Sequence, residues 1–442
     1  MYILIFVDEQ TLVVDSDCNE KTLFNDVLIN IFEYLYKLKE ILSVGRVCKT
    51  WRTASLNEAS WKNVCINFRS NNQMKRSKHS PYYSNFKRMD IPYDRYKKIS
   101  SLPNLTHLRI LGGFNSLIKL PNTLEDFEMG YNFNQQIQLL PNLIKLTMGN
   151  NFNKFIDLPP TLLYLRTGHR FNRVIKLPDG LKCLELGNYY NQPLDLPSSL
   201  EIFRMGNGYE LICKLPSSLL ELELGNGFFR ELDLSQCPNL LTFRMGQYFN
   251  RPIVLPATLV FLQLGYIFNQ TLDLKLLRAL KEFYMGYGFN QYVILPQNLE
   301  ILTIGNCFNQ SIILPNSLRK IQILGNFNQQ LVLPFNLEEL HLNDSYNTPI
   351  ELNQNLKVFV MGRSFNQLVD FPESLIKLII GRQYEQLIKQ FPSSLEELCI
   401  YSDCRCERVP DIPLTVKTGY INGKLKYLFK PHHNDTTIYY SC

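Results

Sequence analysis

Residues 124–137 read Leu-Glu-Asp-Phe-Glu-Met-Gly-Tyr-Asn-Phe-Asn-Gln-Gln-Ile, and this pattern returns along most of the chain. Its third aromatic residue, Phe133, belongs to a series of Phe or Tyr at positions 114, 133, 152, 171, 190, 209, 228, 249, 268, 289, 308, 327, 346, 365 and 384. Neighbouring members are 19 residues apart, except across two gaps of 21. A period of about 20 residues or more is typical of stacked coils that cannot bury an apolar face alone. The sequence therefore predicts a solenoid.

Each repeat also begins with a leucine, which is Leu124 in the quoted stretch. This first Leu occurs sixteen times, at positions 105, 124, 143, 162, 181, 200, 219, 240, 259, 280, 299, 318, 337, 356, 375 and 395. Apolar residues three and five places later alternate with polar ones, which predicts a short strand with one buried face. A Gly turn and a second extended piece, such as Ile156-Asp157-Leu158, complete the repeat. Nineteen residues leave little room for a helix, so the predicted fold class is mainly β, with about sixteen short coils.

An asparagine follows twelve of the fifteen aromatic residues. Stacking places each such Asn above its equivalent in the neighbouring coil, where a carboxamide offers both donors and acceptors to the backbone of the turn. We therefore predict a structural ladder of Asn side chains. The ladder has gaps at Tyr209-Glu210, Phe228-Phe229 and Tyr384-Glu385, where Asn is absent.

These residues resemble the FNIP repeats, a family named after a Phe-Asn-Ile-Pro run and similar to a shortened leucine-rich repeat. The resemblance covers roughly residues 101–400, and it is strongest to proteins of social amoebae and of giant viruses that infect amoebae. It implies a leucine-rich-repeat-like solenoid that binds other proteins.

The N-terminal part has a different, helical spacing. Between Leu23 and Val64 the apolar residues fall three and four places apart, which predicts three short amphipathic helices, the first capped by Asn25 or Asp26. A helical unit this small has little core, so we expect it to dock on a partner or on the solenoid.

This segment resembles an F-box, because it carries in order Leu23, Val27, Leu28, Ile31, Phe32, Leu35, Leu42, Val47, Cys48, Trp51, Arg52 and Trp61. Phe24 departs from the Pro that is usual in the family. The resemblance implies binding to the Skp-type adaptor of a cullin-RING ubiquitin ligase. The residues it implies for adaptor contact are Leu23, Phe24, Val27, Leu28, Ile31, Phe32 and Leu35. The alternative is a helical cap that shields the first coil.

The predicted organisation is an N-terminal extension (1–20) that includes a strand, an F-box (21–66), a basic linker (67–100), the solenoid (101–400) and a small C-terminal β cap (401–442). The linker holds nine Lys or Arg between Arg69 and Lys98 against Asp90 and Asp94, which indicates a solvated connection or a contact with nucleic acid. In the cap, residues 420–425 suggest a hairpin with an Asn422-Gly423 turn.

Composition and motifs give no sign of catalysis. The chain has no phosphate loop or nucleophile elbow, so we predict that it is not an enzyme and needs no cofactor. Cys404, Cys406, His432, His433 and Cys442 match no familiar zinc-site spacing, so no metal is predicted. Eleven Cys without pairing rhythm indicate reduced thiols, and no apolar run is long enough to span a bilayer. We expect a cytoplasmic protein (in the host cytoplasm if it is viral), with the nucleus as an alternative.

The outward face of the strands is the predicted target-binding surface. Its positions lie two and four places after each first Leu. At the fourth place the early repeats show charges that can pair between coils: Arg109, Glu128, Thr147, Arg166, Glu185, Arg204, Glu223 and Arg244. Later repeats place apolar residues at outward positions, which predicts a contiguous target-binding patch of Phe261, Tyr284, Ile301, Val358, Val360 and Ile379. The alternative is that the linker or the cap covers them.

Together these features favour a substrate-recognition subunit of a cullin-RING ubiquitin ligase, with the F-box on the adaptor and the solenoid on a target protein. The alternatives are a structural or scaffolding repeat protein, and a nucleic-acid-associated protein that uses the basic linker. Nucleic acid is the weaker alternative, because the repeats lack a regular basic stripe.

Overall fold

The computed structural model describes residues 2–7, 10–15, 65–67, 85–91, 102, 104–401, 410–422 and 437–441. Within these ranges the regular elements are all strands, as the mainly β prediction requires. The chain divides into two compact units, residues 1–200 (unit 1) and residues 201–442 (unit 2). The three predicted F-box helices lie outside the described residues, as do all the adaptor-binding candidates.

Unit 1 contains nine described strands. Strands β1 and β2 form an antiparallel pair, which confirms the strand predicted at the N-terminus. Strands β3 to β9 follow one another as parallel neighbours. The nine strands are β1 Tyr2–Val7, β2 Gln10–Asp15, β3 Cys65–Asn67, β4 Arg88–Ile91, β5 His107–Ile110, β6 Asp126–Glu128, β7 Lys145–Thr147, β8 Tyr164–Arg166 and β9 Cys183–Glu185.

Unit 2 contains thirteen described strands, each parallel to the next. They are β10 Ile202–Arg204, β11 Glu221–Glu223, β12 Thr242–Arg244, β13 Phe261–Gln263, β14 Glu282–Tyr284, β15 Ile301–Ile304, β16 Lys320–Ile323, β17 Glu339–His341, β18 Val358–Val360, β19 Lys377–Ile380, β20 Glu397–Ile400, β21 Thr418–Asn422 and β22 Thr437–Ser441. The sixteen predicted repeat strands are β5 to β20, and the parallel-coil prediction is confirmed.

One prediction next to the repeats is wrong, and another falls partly outside the described residues. The hairpin predicted at residues 420–425 extends beyond Asn422, where the described range ends; within that range, β21 is parallel to its neighbours on both sides, β20 and β22. Residues 85–91 are not a solvated linker, because β4 pairs with β3 and β5. Phe86, Met89 and Ile91 are buried there, so their apolar alternation belongs to a coil.

The core of each unit is built from the same positions in every coil. In the coil of β6, the first Leu124, the strand residue Phe127 and the aromatic Phe133 are all fully buried. The repeating aromatic rings stack on one another, with centroids 6.0 to 6.2 Å apart from Phe114 to Tyr190 in unit 1. From Phe228 to Tyr384 in unit 2 the spacing is 6.1 to 6.4 Å. The aromatic positions therefore form a column of rings from Phe114 to Tyr190 in unit 1 and from Phe228 to Tyr384 in unit 2, across the two intervals of 21 residues as well as those of 19.

The Asn ladder is present in both units. The side-chain Oδ1 of one Asn accepts the backbone N–H of the next, as between Asn134 N and Asn115 Oδ1 (2.9 Å) or Asn269 N and Asn250 Oδ1 (3.0 Å). A Gln one place later adds its Nε2 to the same oxygen, as Gln270 does at 3.1 Å. At the Phe229 gap no carboxamide is present, and the Arg251 Nε donates to the Phe229 carbonyl instead (3.1 Å). The predicted ladder and the predicted gap are both confirmed.

A second ladder of hydroxyl groups was not predicted. A Ser or Thr directly before the first Leu donates to the carbonyl of the previous coil's first Leu, for example Thr161 Oγ1 to Leu143 O (2.8 Å) and Ser317 Oγ to Leu299 O (2.7 Å). The sequence signal is the Ser-Leu or Thr-Leu pair that opens many repeats. These hydroxyls satisfy carbonyls that the turn leaves without a backbone donor.

The Gly of the turn marks the closest approach between coils. A Cβ added to Gly286 would lie 1.8 Å from the carbonyl oxygen of Gly265, which no side chain tolerates. The Gly is therefore required by packing between turns, and its φ is not in the left-handed region.

Candidate partner-binding face

The outward face of the strands in unit 1 carries charges that alternate in sign. Arg109 Nε lies 3.2 Å from Glu128 Oε1, and Arg166 Nε lies 3.5 Å from Glu185 Oε2. Parallel register places these partners side by side in adjacent strands. The predicted pairing is confirmed, and because the arginine side chains of both pairs are exposed, the pairs keep the face soluble rather than stabilise the fold.

In unit 2 the charges gather around Glu221. Its Oε1 accepts a bond from Arg204 Nε (3.0 Å) and lies 3.4 Å from Arg244 Nη1. The Arg244 guanidinium in turn lies 4.4 Å from the centroid of the Phe261 ring, a cation–π contact. The Arg244 guanidinium therefore covers one face of Phe261, the first of the predicted target-binding residues.

The six predicted target-binding residues all lie on the outward face of unit 2 and are all half-buried. The structure brings them together in two groups rather than one. Strands β16 and β17 separate the groups with the ion pair of Lys320 and Glu339 (2.7 Å). The prediction of a contiguous patch is therefore wrong, because two intervening coils carry charged residues at the outward positions. The first group is Phe261, Tyr284 and Ile301, and the second is Val358, Val360 and Ile379.

An apolar row beside the first group was missed by the sequence argument. Leu220, Leu241 and Val260 directly follow the first Leu of three successive coils, and they are 37%, 42% and 38% exposed. Backbone bonds from Leu241 N to Leu220 O (2.9 Å) and from Val260 N to Leu241 O (2.8 Å) join them. The signal was available, because the same place holds Glu300, Arg319, Glu338 and Lys357 in later coils. We name Leu220, Leu241, Val260, Phe261 and Tyr284 the apolar face.

The titratable groups of unit 2 with shifted pKa values suit contact rather than chemistry. Burial, with a bond from the Tyr284 hydroxyl to Glu282 (3.0 Å), raises the pKa of Tyr284. Burial also raises the pKa of the thiols of Cys213 and Cys237 to about 11, so neither is a thiolate at neutral pH. Burial, and then Lys320, lowers the pKa of His341, which favours the neutral imidazole.

Over the described ranges, no three His, Cys, Asp or Glu side chains are grouped to hold a metal ion. Cys404, Cys406, His432, His433 and Cys442 fall outside those ranges. The described residues contain no helix that is long and apolar enough to cross a membrane.

Comparison with known families identifies two parts of the chain. Residues 25–67 match the family of F-box-like domains, and residues 171–208 match the FNIP repeat. A search of curated proteins found no match.

Solved structures give the fold. The chain is similar to YopM from Yersinia enterocolitica WA-314, with 20% identity, a TM-score of 0.52, and coverage of 76% of this chain and 87% of that one. It is also similar to CroV588, described as a novel circular LRR protein, with 25% identity, a TM-score of 0.47, and coverage of 80% and 79%. The first likeness shows the fold alone, and the two family matches show that this chain carries an F-box-like domain and an FNIP repeat.

Proposed function

We propose that the chain is the substrate-recognition subunit of a cullin-RING ubiquitin ligase, in which the F-box binds a Skp-type adaptor and the solenoid binds a target protein. The F-box-like match at residues 25–67 carries this proposal, because that domain implies an adaptor role in such ligases. The repeats supply a parallel-stranded surface in each unit. The setting we propose is the cytoplasm, that of the host if the protein is viral.

The mechanism requires no chemistry from this chain. Holding a target beside a charged conjugating enzyme raises the effective concentration of the target's lysines, and the partner enzyme carries out the transfer. The thiols of Cys213 and Cys237 are protonated at neutral pH, and the carboxylates of Glu128 and Glu185 are paired with arginines. Both observations agree with a binding role.

The apolar face is the better of the two candidate target sites. Leu220, Leu241 and Val260 expose more than a third of their surface, and Phe261 and Tyr284 add aromatic area beside them, the composition typical of binding hot spots. The second group, Val358, Val360 and Ile379, is smaller and lies between charged coils. A target with an apolar surface and both signs of charge at its rim fits the first site, because Arg204, Glu221 and Arg244 border it.

Adaptor binding is tested with the purified full chain, a Skp-type adaptor and a cullin. Leu28→Asp with Ile31→Asp should abolish co-purification of the adaptor, since both residues are implied in adaptor contact. Tyr284→Ala with Val360→Asp is the matched control and should keep the adaptor. If the wild-type chain binds no adaptor, the ligase role is refuted, and the scaffolding and nucleic-acid alternatives remain.

Target binding is tested with a protein that co-purifies with the wild-type chain. Tyr284→Ala with Val360→Asp, which alters both groups, should abolish its capture and leave the adaptor bound. Leu241→Asp then separates the two sites, because it alters the apolar face alone. Ile313→Asp is the control, since Ile313 is 85% exposed on the second extended piece and not on a strand. Capture that survives Leu241→Asp would move the site to the second group.

A further inference from the structure

Two neighbouring coils of unit 1 carry a cluster of cations away from the strand face. The cluster lies around the Asn pairs Phe152-Asn153 and Phe171-Asn172 and on the extended pieces that follow them. Four of its side chains are basic, and the place of Lys176 is held by Asp157 in the preceding coil and by Asp195 in the following coil. We name this cluster the basic edge, and its members, all exposed, are Lys154, Phe155, Arg170, Arg173, Val174 and Lys176.

The charges of the basic edge are arranged differently from those of the strand face. On the strand face, Arg109 and Arg166 each have a carboxylate within 4.0 Å in the next coil. On the basic edge, Lys154 and Arg173 occupy equivalent places in adjacent coils, so like charges lie side by side. Over the described part of the chain, none of the four cations has an ion-pair partner.

The fold does not need these cations. The equivalent places in the flanking coils hold Gln135 and Gln192, and each donates its Nε2 to the Asn oxygen of the preceding coil (3.2 and 3.0 Å). Arg173 fills the same structural role with its Nε, which donates to the Asn153 carbonyl (3.2 Å). A neutral Gln satisfies this position, whereas adjacent like charges are destabilising. The cations are therefore explained better by an external anion than by stability.

Apolar surface accompanies the charge. Phe155 is 66% exposed and Val174, its equivalent in the next coil, is 63% exposed. The Arg173 guanidinium lies 5.1 Å from the Phe155 ring centroid, so it covers one side of that ring. An aromatic and a β-branched side chain at coil spacing form a short apolar strip with cations at both ends.

We propose that the basic edge binds an acidic linear segment of a partner protein, with carboxylates paired to Lys154, Arg170, Arg173 and Lys176 and an aliphatic side chain placed on Phe155 and Val174. Charge complementarity carries the assignment, because Lys154 and Arg173 lie at coil spacing and have no ion-pair partner among the described residues. A lipid surface is the poorer fit, since a strip two coils wide offers only two apolar side chains. Nucleic acid is also poorer, since the Arg173 guanidinium already occupies one face of the Phe155 ring on which a base would stack.

This inference goes beyond the proposed ligase role and does not depend on it. The basic edge lies in unit 1, whereas the apolar face lies in unit 2, and neither proposal uses the other's residues. An acidic segment bound at the basic edge would be a second contact, in addition to a target held at the apolar face.

The experiment uses the full chain and a short fluorescent peptide of Asp, Glu and Leu, with fluorescence anisotropy as the readout. A peptide of the same length with Asn and Gln in place of the acids should not bind. Lys154→Glu with Arg173→Glu should weaken binding of the acidic peptide by about tenfold or more, and added salt should weaken binding to the wild type. Lys119→Glu with Lys214→Glu makes the same change in net charge at other exposed places and should leave affinity unchanged.

Each remaining outcome overturns the proposal. These are equal affinity of the variant and the wild type, equal loss in the control variant, or no peptide binding by the wild type. Binding to vesicles that contain phosphatidylserine, or to single-stranded RNA, without binding to the peptide would assign the edge to that ligand instead. Lys154→Gln with Arg173→Gln is a second variant that preserves the hydrogen bonds of the neutral coils, so its loss of binding cannot come from misfolding. Adaptor recovery by each variant should equal that of the wild type, which separates this test from that of the ligase role.

Discussion

The Asn ladder makes the sharpest stability prediction, and Asn269 is the best position to test it. Its Oδ1 accepts the backbone N–H of Asn290 (2.8 Å) and the side-chain Nε2 of Gln291 (3.3 Å). Asn269→Ala removes both bonds and leaves a half-buried backbone N–H without its acceptor. An unsatisfied buried donor costs about 1–3 kcal/mol and a weak side-chain bond contributes about 0.5 kcal/mol. We therefore expect a loss of about 2 kcal/mol in the free energy of unfolding.

The assay is urea unfolding followed by far-ultraviolet circular dichroism, with the slope of free energy against denaturant compared between variants. Asn269→Asp is the matched control, because it keeps the oxygen that accepts from Asn290 and Gln291. It should retain most of the wild-type stability. If Asn269→Ala unfolds at the wild-type urea concentration, or if Asn269→Asp is as unstable as Asn269→Ala, then the ladder does not act through its acceptor oxygen and the reasoning fails.

Three further predictions concern the other contacts between coils. Thr161→Val removes the donor to the Leu143 and Pro141 carbonyls and should cost about 1 kcal/mol in urea unfolding, whereas Thr161→Ser should not. Gly286→Ala should unfold at a clearly lower temperature, because its Cβ would overlap the Gly265 carbonyl; Gly112→Ala, where a Cβ meets nothing within 4 Å, should melt with the wild type, and equal melting of both variants would contradict the packing argument. His341 should make stability pH-dependent: its folded pKa lies below the ordinary 6.5, so the unfolded chain takes up the proton more readily and stability falls as the pH drops through 6.5. His341→Gln should lose less stability than the wild type between about pH 7 and about pH 5.5, and an identical pH profile would refute the assignment.

Much of the fold could be read from one repeat. The spacing of Leu124, Phe127 and Phe133 predicted the buried positions of every coil, and the Asn after Phe133 predicted the ladder. This worked because a solenoid repeats each local environment, so that one strand and one turn describe the rest. The reading failed where the period changes. The nine Lys and Arg residues between Arg69 and Lys98 favour a linker at residues 85–91, yet Met89 and Ile91 lie in strand β4 and pack into a coil.

The binding surfaces were less predictable, because they combine residues from different coils. Sequence placed Phe261, Tyr284 and Val360 outward correctly, but it joined them in one patch across strands that carry Lys320 and Glu339. It also overlooked Leu241, since the place after the first Leu was not counted as outward. Arg173 has no special meaning in its own repeat, and only its neighbours Lys154 and Phe155 in the adjacent coil make it part of a surface.

The amino-acid pattern by itself determined the coil, its buried positions and the polar ladders, because these depend on residues within one period and on the identical residues 19 places away. Tertiary structure alone decided which side chains of different coils share a surface, which cations find a carboxylate and which do not. The physical reason is that lateral contacts depend on parallel register and on the exposure of each position after stacking. Sequence distance encodes neither quantity, so partner-binding surfaces emerge only when the coils are assembled.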